Sequence, residues 1–268
     1  MNFSVLMSLY DKESPAYLDQ CLRSLFNQKL KSNEIILIFD GKINLELEKT
    51  VSNWMDLLPI KIIRLEKNVG LASALNVGLN FCNNELVARM DTDDICEYDR
   101  FDKQVNYLRK NPNIDIVGMW VSEIDESGNI IKELVKYPLK HSDLLHFFSR
   151  RDPLAHPTVM FRKSFFKKAG NYPTTISLAE DTALWYAGFF NNCTFANIPC
   201  VGLRFRRTTN FYKRRSNFRK TIDLLRFRLT TINRNLGYGL KGDIYAILYF
   251  LISLSPNLIK KFLYTYLR

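Results

Sequence analysis

Residues 85–100 read ELVARMDTDDICEYDR, and the fold turns on them. Leu86, Val87 and Ala88 form a short apolar run of strand type, which continues through Arg89 and Met90 into Asp91, Asp93 and Asp94. Phe101, Val105 and Leu108 then recur at helical spacing. A strand that delivers carboxylates at its C-terminal end, ahead of a helix, puts them where open α/β sheets bind ligands. Acidic groups this close repel one another unless a cation holds them. Carboxylate oxygens are hard ligands, suited to Mg2+ or Mn2+ bridging a diphosphate. A solvated acidic loop, with Asp94 capping the next helix, is the competing reading.

The same rhythm precedes this stretch. Phe3–Leu9 (FSVLMSL) has strand length, Ser14 and Pro15 stand as helix N-cap and first helical residue, and Leu18, Cys21, Leu22, Leu25 and Phe26 mark one buried helix face. Ile35–Phe39 (IILIF) reads as a second strand ending on Asp40-Gly41. A helix is predicted over 45–57 and a strand over 60–65. Asn68-Val69-Gly70 then opens a helix with Leu71, Ala74, Leu75, Gly78 and Leu79 inward. Four strand–helix steps in about 110 residues, with strands apolar on both faces, predict a parallel sheet covered by helices. Right-handed crossovers align the strand C-termini along one edge. Ser8, Tyr10, Asp40, Asn68 and the three carboxylates gather there, around a nucleotide-sized crevice. Neither GxGxxG nor GxxxxGK[ST] occurs, so dinucleotide and P-loop chemistry lack support.

Beyond Asn111-Pro112 the pattern changes. A strand over 114–121 and a hairpin turning at Ser127-Gly128-Asn129 are followed by a helix over 142–150. His156-Pro157 leads into a strand over 158–162 and a helix ended by Gly170. Glu180-Asp181 opens a helix whose Leu184, Trp185 and Phe189 are core residues. Taken alone, Asp40 before Gly41 is turn chemistry, and Glu180-Asp181 are first-turn acids complementing a helix dipole.

The 268 residues are 47% hydrophobic and 13% aromatic, enough for one sizeable folded unit and too much for global disorder. Five cysteines at irregular spacing, without a CxxC pair, indicate neither a disulfide framework nor a zinc site. With no signal-peptide pattern at the N-terminus, a cytoplasmic setting is expected. The net charge of +11 is unevenly placed, because residues from Arg204 onward hold 15 basic and 2 acidic side chains.

Six segments then align with one known family: FSVLMSLYDKE, EIILIFDG, RLEKNVGLASALNVGL, ELVARMDTDD, HPTVMFRKS and AEDTALW. In this order and spacing, over residues 2 to about 205, the chain resembles the inverting family-2 glycosyltransferases of the GT-A fold, and particularly bacterial O-antigen and capsule galactosyltransferases. The resemblance implies a Rossmann-like, mostly parallel sheet flanked by helices. It implies a UDP-sugar donor, with UDP-galactose ahead of UDP-glucose and UDP-N-acetylglucosamine, and an undecaprenyl-diphosphate-linked saccharide as acceptor. Ser8 and Tyr10 match residues packed around the nucleotide base, and Asp40 matches the acid that bonds the uracil imino group. Phe39 stands where the family has a first acid beside it. Asp91 and Asp93 match the DxD motif, with Asp93 the Mn2+ or Mg2+ ligand and Asp91 nearer the ribose or a metal-bound water. Asp181 matches the general base, and His156 a histidine near the donor diphosphate or acceptor. Nucleotidyl transfer, lacking its phosphate loop, and non-catalytic glycan binding are the competing classes.

These matches predict a catalytic unit over 1–206 and a basic, amphipathic helical region over 207–268. Arg204, Arg206 and Arg207 head a run of basic and aromatic residues, and Ile244–Leu254 is eleven residues without charge. Eleven is short of the ~20 needed to span a bilayer. The combination suits helices lying in a membrane interface, and the lipid-linked acceptor implied by the resemblance sets the expected location on the inner face of the cell membrane. A terminal helix pair packed on the domain or on a second copy is the alternative. No recognised RNA-binding module accompanies the basic residues, so no nucleic-acid partner is expected.

Overall fold

The computed structural model describes residues 1–174, 179–208 and 218–256. The basic stretch at 209–217 and the apolar residues expected after 256 lie outside the described residues.

Strands β1 (Phe3–Leu9), β2 (Glu34–Phe39), β3 (Ile60–Arg64) and β4 (Leu86–Arg89) pair in parallel, in the order β3-β2-β1-β4. Their unbroken apolar runs follow from burial on both faces, because alternate side chains enter opposite cores. Val5, Met7, Leu9, Ile35, Leu37 and Phe39 join a layer containing Leu18, Leu22 and Phe101. Leu6, Ile36, Ile38 and Val87 join the layer of Ala74, Leu75 and Leu79. Helices α1 (Pro15–Phe26), α2 (Leu45–Ser52) and α3 (Leu71–Phe81) make the crossovers. Ser14 is the N-cap of α1 without a side-chain cap bond, and its N–H donates to Glu13 at 2.8 Å instead. Phe26 lies 37% exposed, off the buried face assigned to it. Helix α2 stops at Ser52 rather than 57, and the chain closes through turns at Trp54.

Beyond β4 the sheet becomes mixed. Strands β5 (Ile95–Cys96), β6 (Ile116–Ile124), β7 (Ile130–Val135), β8 (Met160–Arg162) and β9 (Phe195–Arg206) continue it as β4-β8-β6-β9-β5, with β7 on β6. The segment expected as a strand from 158 begins as a 3-10 turn over His156–Thr158. Helices α4 (Arg100–Lys110), α5 (His141–Phe148), α6 (Lys163–Ala169) and α7 (Glu180–Phe190) pack on this half. Strand β9 has no counterpart in the sequence reading. Pro199 and Gly202 break its pattern, and its pairing with β6 shifts register between Met119 and Val121.

After β9 come α8 (Phe218–Phe227), a wide π turn over Arg228–Ile232, a short turn over Asn233–Asn235 and α9 (Gly239–Leu254). This region is seated on α5 and α7. Arg228 donates to the Phe148 carbonyl at 3.0 Å, Tyr238 to the Leu145 carbonyl at 2.6 Å, and Ile232 is fully buried. Among the described residues, no helix is long and apolar enough to cross a membrane.

Contact between α3 and the sheet requires Gly78, since a Cβ there would fall 2.4 Å from Leu6 Cδ1 and 3.1 Å from Ile38 Cγ1. Gly78→Val should therefore destabilise the fold by about 2–3 kcal/mol through overpacking. The midpoint of urea unfolding reads this, and an unchanged midpoint would contradict the close packing.

Candidate active site

The chain leaving β4 bends at the C-terminal edge of the sheet, and one carboxylate oxygen each from Asp91, Asp93 and Asp94 lies within 4.8 Å of the others. Neighbouring elements hold this bend at each residue. Cys21 Sγ donates to the Asp91 carbonyl at 3.3 Å, and the buried Thr92 hydroxyl donates to Glu13 at 3.3 Å. Asp94 is fully buried and does not cap the following helix, which begins at Arg100 after Asp99. It accepts the Arg206 backbone N–H at 2.8 Å instead. Burial first, then Asp93 and Asp91, push its carboxyl well above the usual carboxylate range, against the pull of that N–H and of Arg89.

Two buried arginines flank the carboxylates. Arg89 is 3% exposed and ion-paired with Asp91. Arg206 closes β9, and its side chain is spent on the active-site loop rather than on solvent. Nε donates to the Asp93 carbonyl at 2.8 Å, Nη1 to the carbonyls of Asp125 and Glu126, and Nη2 to Gln20 at 2.6 Å. Its guanidinium covers the Tyr17 ring at 4.2 Å. Arg204 and Arg207 are likewise paired, with Glu97 and Glu123 at 2.7 Å each. These three arginines are therefore bonded to the sheet and its loops rather than presented as a basic surface.

The Asp94 Oδ2 atom is buried without a hydrogen-bond partner. An orphaned carboxylate oxygen beside two half-buried carboxylates is what a divalent cation would satisfy. The all-oxygen donor set fits Mn2+ or Mg2+.

Asp40, at the end of β2, is 4% exposed. Its two oxygens accept the N–H groups of Val69 and Gly70 at 2.7 and 3.1 Å, and Asn68 Nδ2 donates to its carbonyl at 3.1 Å. It thus ties the β2 exit to the start of α3. Gly41 is needed for this approach: its φ is +88°, and a Cβ would fall 2.6 Å from the Asn68 nitrogen. Phe39 lies under the Arg64 guanidinium at 4.7 Å. Ser8 and Tyr10 are half-buried at the β1 exit of the same edge. An open groove of about 930 Å³, lined by Gly41, Asn44, Arg64 and Glu66 among others, adjoins Asp40 but not the three carboxylates.

Glu180 and Asp181 occupy the first turn of α7, where Asp181 Oδ1 accepts the Thr182 N–H at 2.8 Å. Glu180 is pushed up chiefly by burial, with Arg89 opposing and Asp91 adding to the shift. Buried Tyr172 is bonded to His156 and Asn76. Burial raises its phenol, which also feels Arg89, Glu180, Asp181 and Asp91. His156 faces inward, bonded through Nε2 to the Tyr172 hydroxyl at 3.0 Å and edge-on to Trp185. Burial, then Arg89, hold it well below the ordinary imidazole range.

Of the residues expected from sequence, Asp91 and Asp93 meet in one cluster, joined by Asp94. Asp40 meets Asn68, and Asp181 stands in the first turn of α7. Glu13, Arg89, Tyr172 and Arg206 were not anticipated. Only Arg89 carried a signal, as a charge inside an apolar strand run.

A family model described as Glycosyl transferase family 2 matches residues 4–170. The chain belongs to this family. Over 264 residues, 98% of this chain and 97% of the other, it is 38% identical to the amylovoran biosynthesis glycosyltransferase AmsE of Erwinia amylovora. Over 220 residues, 82% of this chain and 79% of the other, it is 37% identical to the UDP-Gal:alpha-D-GlcNAc-diphosphoundecaprenol beta-1,3-galactosyltransferase of Escherichia coli. The mannosyltransferase PcManGT from Pyrobaculum calidifontis, solved in complex with GDP-Man and Mn2+, superposes with a TM-score of 0.63 at 14% identity, covering 98% of this chain and 79% of that one. The fold is therefore the GT-A arrangement expected above, and the protein is a glycosyltransferase.

Arg206→Lys keeps the positive charge but loses the fork that holds the Asp93 carbonyl, Gln20 and the 125–126 turn together. Outer partners of metal ligands typically contribute 10–100-fold in affinity. Mn2+ binding, read by electron paramagnetic resonance, should weaken by about that factor in the folded variant. Unchanged affinity would show that Arg206 does not aim the loop.

Proposed function

We propose that the protein is an inverting, cation-dependent galactosyltransferase. It moves galactose from UDP-galactose onto a saccharide carried on undecaprenyl diphosphate, in the synthesis of a bacterial surface polysaccharide. The observation that carries this reading is the Asp91-Asp93-Asp94 cluster at the C-terminal edge of the sheet, in a chain whose family match covers residues 4–170. The likeness to the Escherichia coli galactosyltransferase supports the choice of donor and acceptor.

Asp93 and Asp91, backed by Asp94, are the residues that would hold Mn2+ or Mg2+, which when bound offsets negative charge growing on the departing UDP. Asp40 and Asn68 present polar edges to the nucleotide base, with Ser8 and Tyr10 beside it. Arg89 keeps Asp91 turned toward the site. Asp181 takes the proton from the acceptor hydroxyl as its oxygen bonds to the sugar C1 and the C1–O bond to UDP breaks. One displacement inverts the centre, so an α-linked donor yields a β-linked product. Beside Asp181 in the sequence, Glu180 has its charge disfavoured by burial. A polyprenyl-linked acceptor confines the reaction to a membrane surface, which puts the enzyme peripherally on the cytoplasmic face.

The test is transfer from UDP-galactose, UDP-glucose and UDP-N-acetylglucosamine to a synthetic GlcNAc-diphosphate-lipid. UDP-galactose should be used in preference, and use of another donor would reassign the sugar. Asp181→Asn should keep donor affinity by calorimetry while kcat falls by about two or more orders of magnitude, the usual loss with a general base. Donor affinity and turnover falling together would place Asp181 in the donor site instead.

A further inference from the structure

Helix α9 packs in the reverse of the usual sense. Its buried residues are small, Gly242, Ala246 and Ser253, with Phe250 partly buried against Phe218. Its large aliphatic residues face out, with Leu240 75% exposed, Ile244 48%, Ile247 44%, Leu248 48% and Leu251 56%. They recur at three and four residues and so share one face. The small face is required by close approach, since a Cβ on Gly242 would fall 2.7 Å from Tyr238 Cβ and 3.0 Å from Asn233 Cγ. Among the described residues these aliphatic side chains stay largely exposed, and a continuous apolar face in water marks an interaction site.

We propose that this outward face of α9 seats the enzyme on an anionic lipid surface. The purpose rests on the lipid-linked acceptor proposed above, whereas the geometry rests on α9 alone. Charge selects the occupant. Of the six basic side chains in residues 218–256, Arg228 is buried and paired with Asp152 at 3.5 Å and Arg234 pairs with Asp243 at 3.4 Å, and the other four, Arg219, Lys220, Arg226 and Lys241, stand against one further acid, Asp223. Lys241 is exposed on α9 itself, and Arg150 covers the Tyr245 ring at 6.0 Å. Basic groups bordering an apolar helix face are what an interface of anionic headgroups over acyl chains accommodates. A second copy fits less well. The 16 residues of α9 make a footprint about 24 Å by 10 Å, on the order of a few hundred Å² against the ~800 Å² per partner of a stable interface. Two chains of net charge +11 would also repel.

Co-sedimentation of the full chain with phosphatidylglycerol/phosphatidylcholine vesicles, against phosphatidylcholine alone, tests this. The wild type should pellet with the anionic vesicles at low salt and be released by high salt. Leu248→Gln combined with Leu251→Gln, checked for folding by circular dichroism, should lower vesicle partition about tenfold or more. The variant should keep transfer to a water-soluble acceptor analogue and lose transfer to lipid-linked acceptor in vesicles. Unchanged vesicle partition of the variant, or a wild type that stays in the supernatant, overturns the proposal. So does a wild-type dimer in sedimentation velocity that the variant dissociates, which would assign the face to a second copy. Vesicle binding as expected, with no transfer to any acceptor, would leave the docking face standing and sink the galactosyltransferase reading.

Discussion

Three carboxylates within 4.8 Å of one another, one of them fully buried, oppose folding wherever they occur. Two unit charges at that distance repel by about 3.5 kcal/mol at an effective dielectric of about 20. The loop after β4 bears this because counter-charges are built into the elements around it. Arg89 arrives from β4 itself and Arg206 from the far end of β9, each buried and each bonded to the loop. Their positions explain why a parallel half-sheet and a mixed half-sheet share one structure. The first supplies the edge where the carboxylates emerge, and the second returns the arginine that holds them.

The same economy runs toward the base. Arg89 touches Asp91 on one side and bears electrostatically on His156, Tyr172 and Glu180 on the other. His156 is bonded to Tyr172, and burial disfavours the charged form of each beside the Arg89 guanidinium. The carboxylates after β4 and the acids that open α7 are thus held by independent elements and both bear electrostatically on Arg89 or Tyr172.

Much of the architecture was legible in the chain because period-two burial on both faces leaves unbroken apolar runs, as in Ile35–Phe39. Asp91 and Asp93 were legible through their place at the end of such a run. Other features were hidden for physical reasons. Strand β9 carries Pro199 and Gly202 and changes register, so its pattern lacks the strand period. Asp40 reads as a turn residue, although its oxygens in fact join two loops separated by 28 residues or more. Asp94 has the composition of a helix cap, but its partner is 112 residues away. Arg204, Arg206 and Arg207 counted toward a basic tail, since net charge along a sequence says nothing of which charges are already neutralised. The outward face of α9 was masked as well, because an eleven-residue uncharged run does not reveal that its small residues point in.

Cation binding by the Asp91-Asp93-Asp94 loop is the central claim, and calorimetric titration of UDP with and without Mn2+ tests it most directly. UDP should bind much more tightly with Mn2+ than in EDTA, and Asp93→Asn should abolish the difference while leaving the fold intact. Equal UDP affinity in Mn2+ and in EDTA would contradict it.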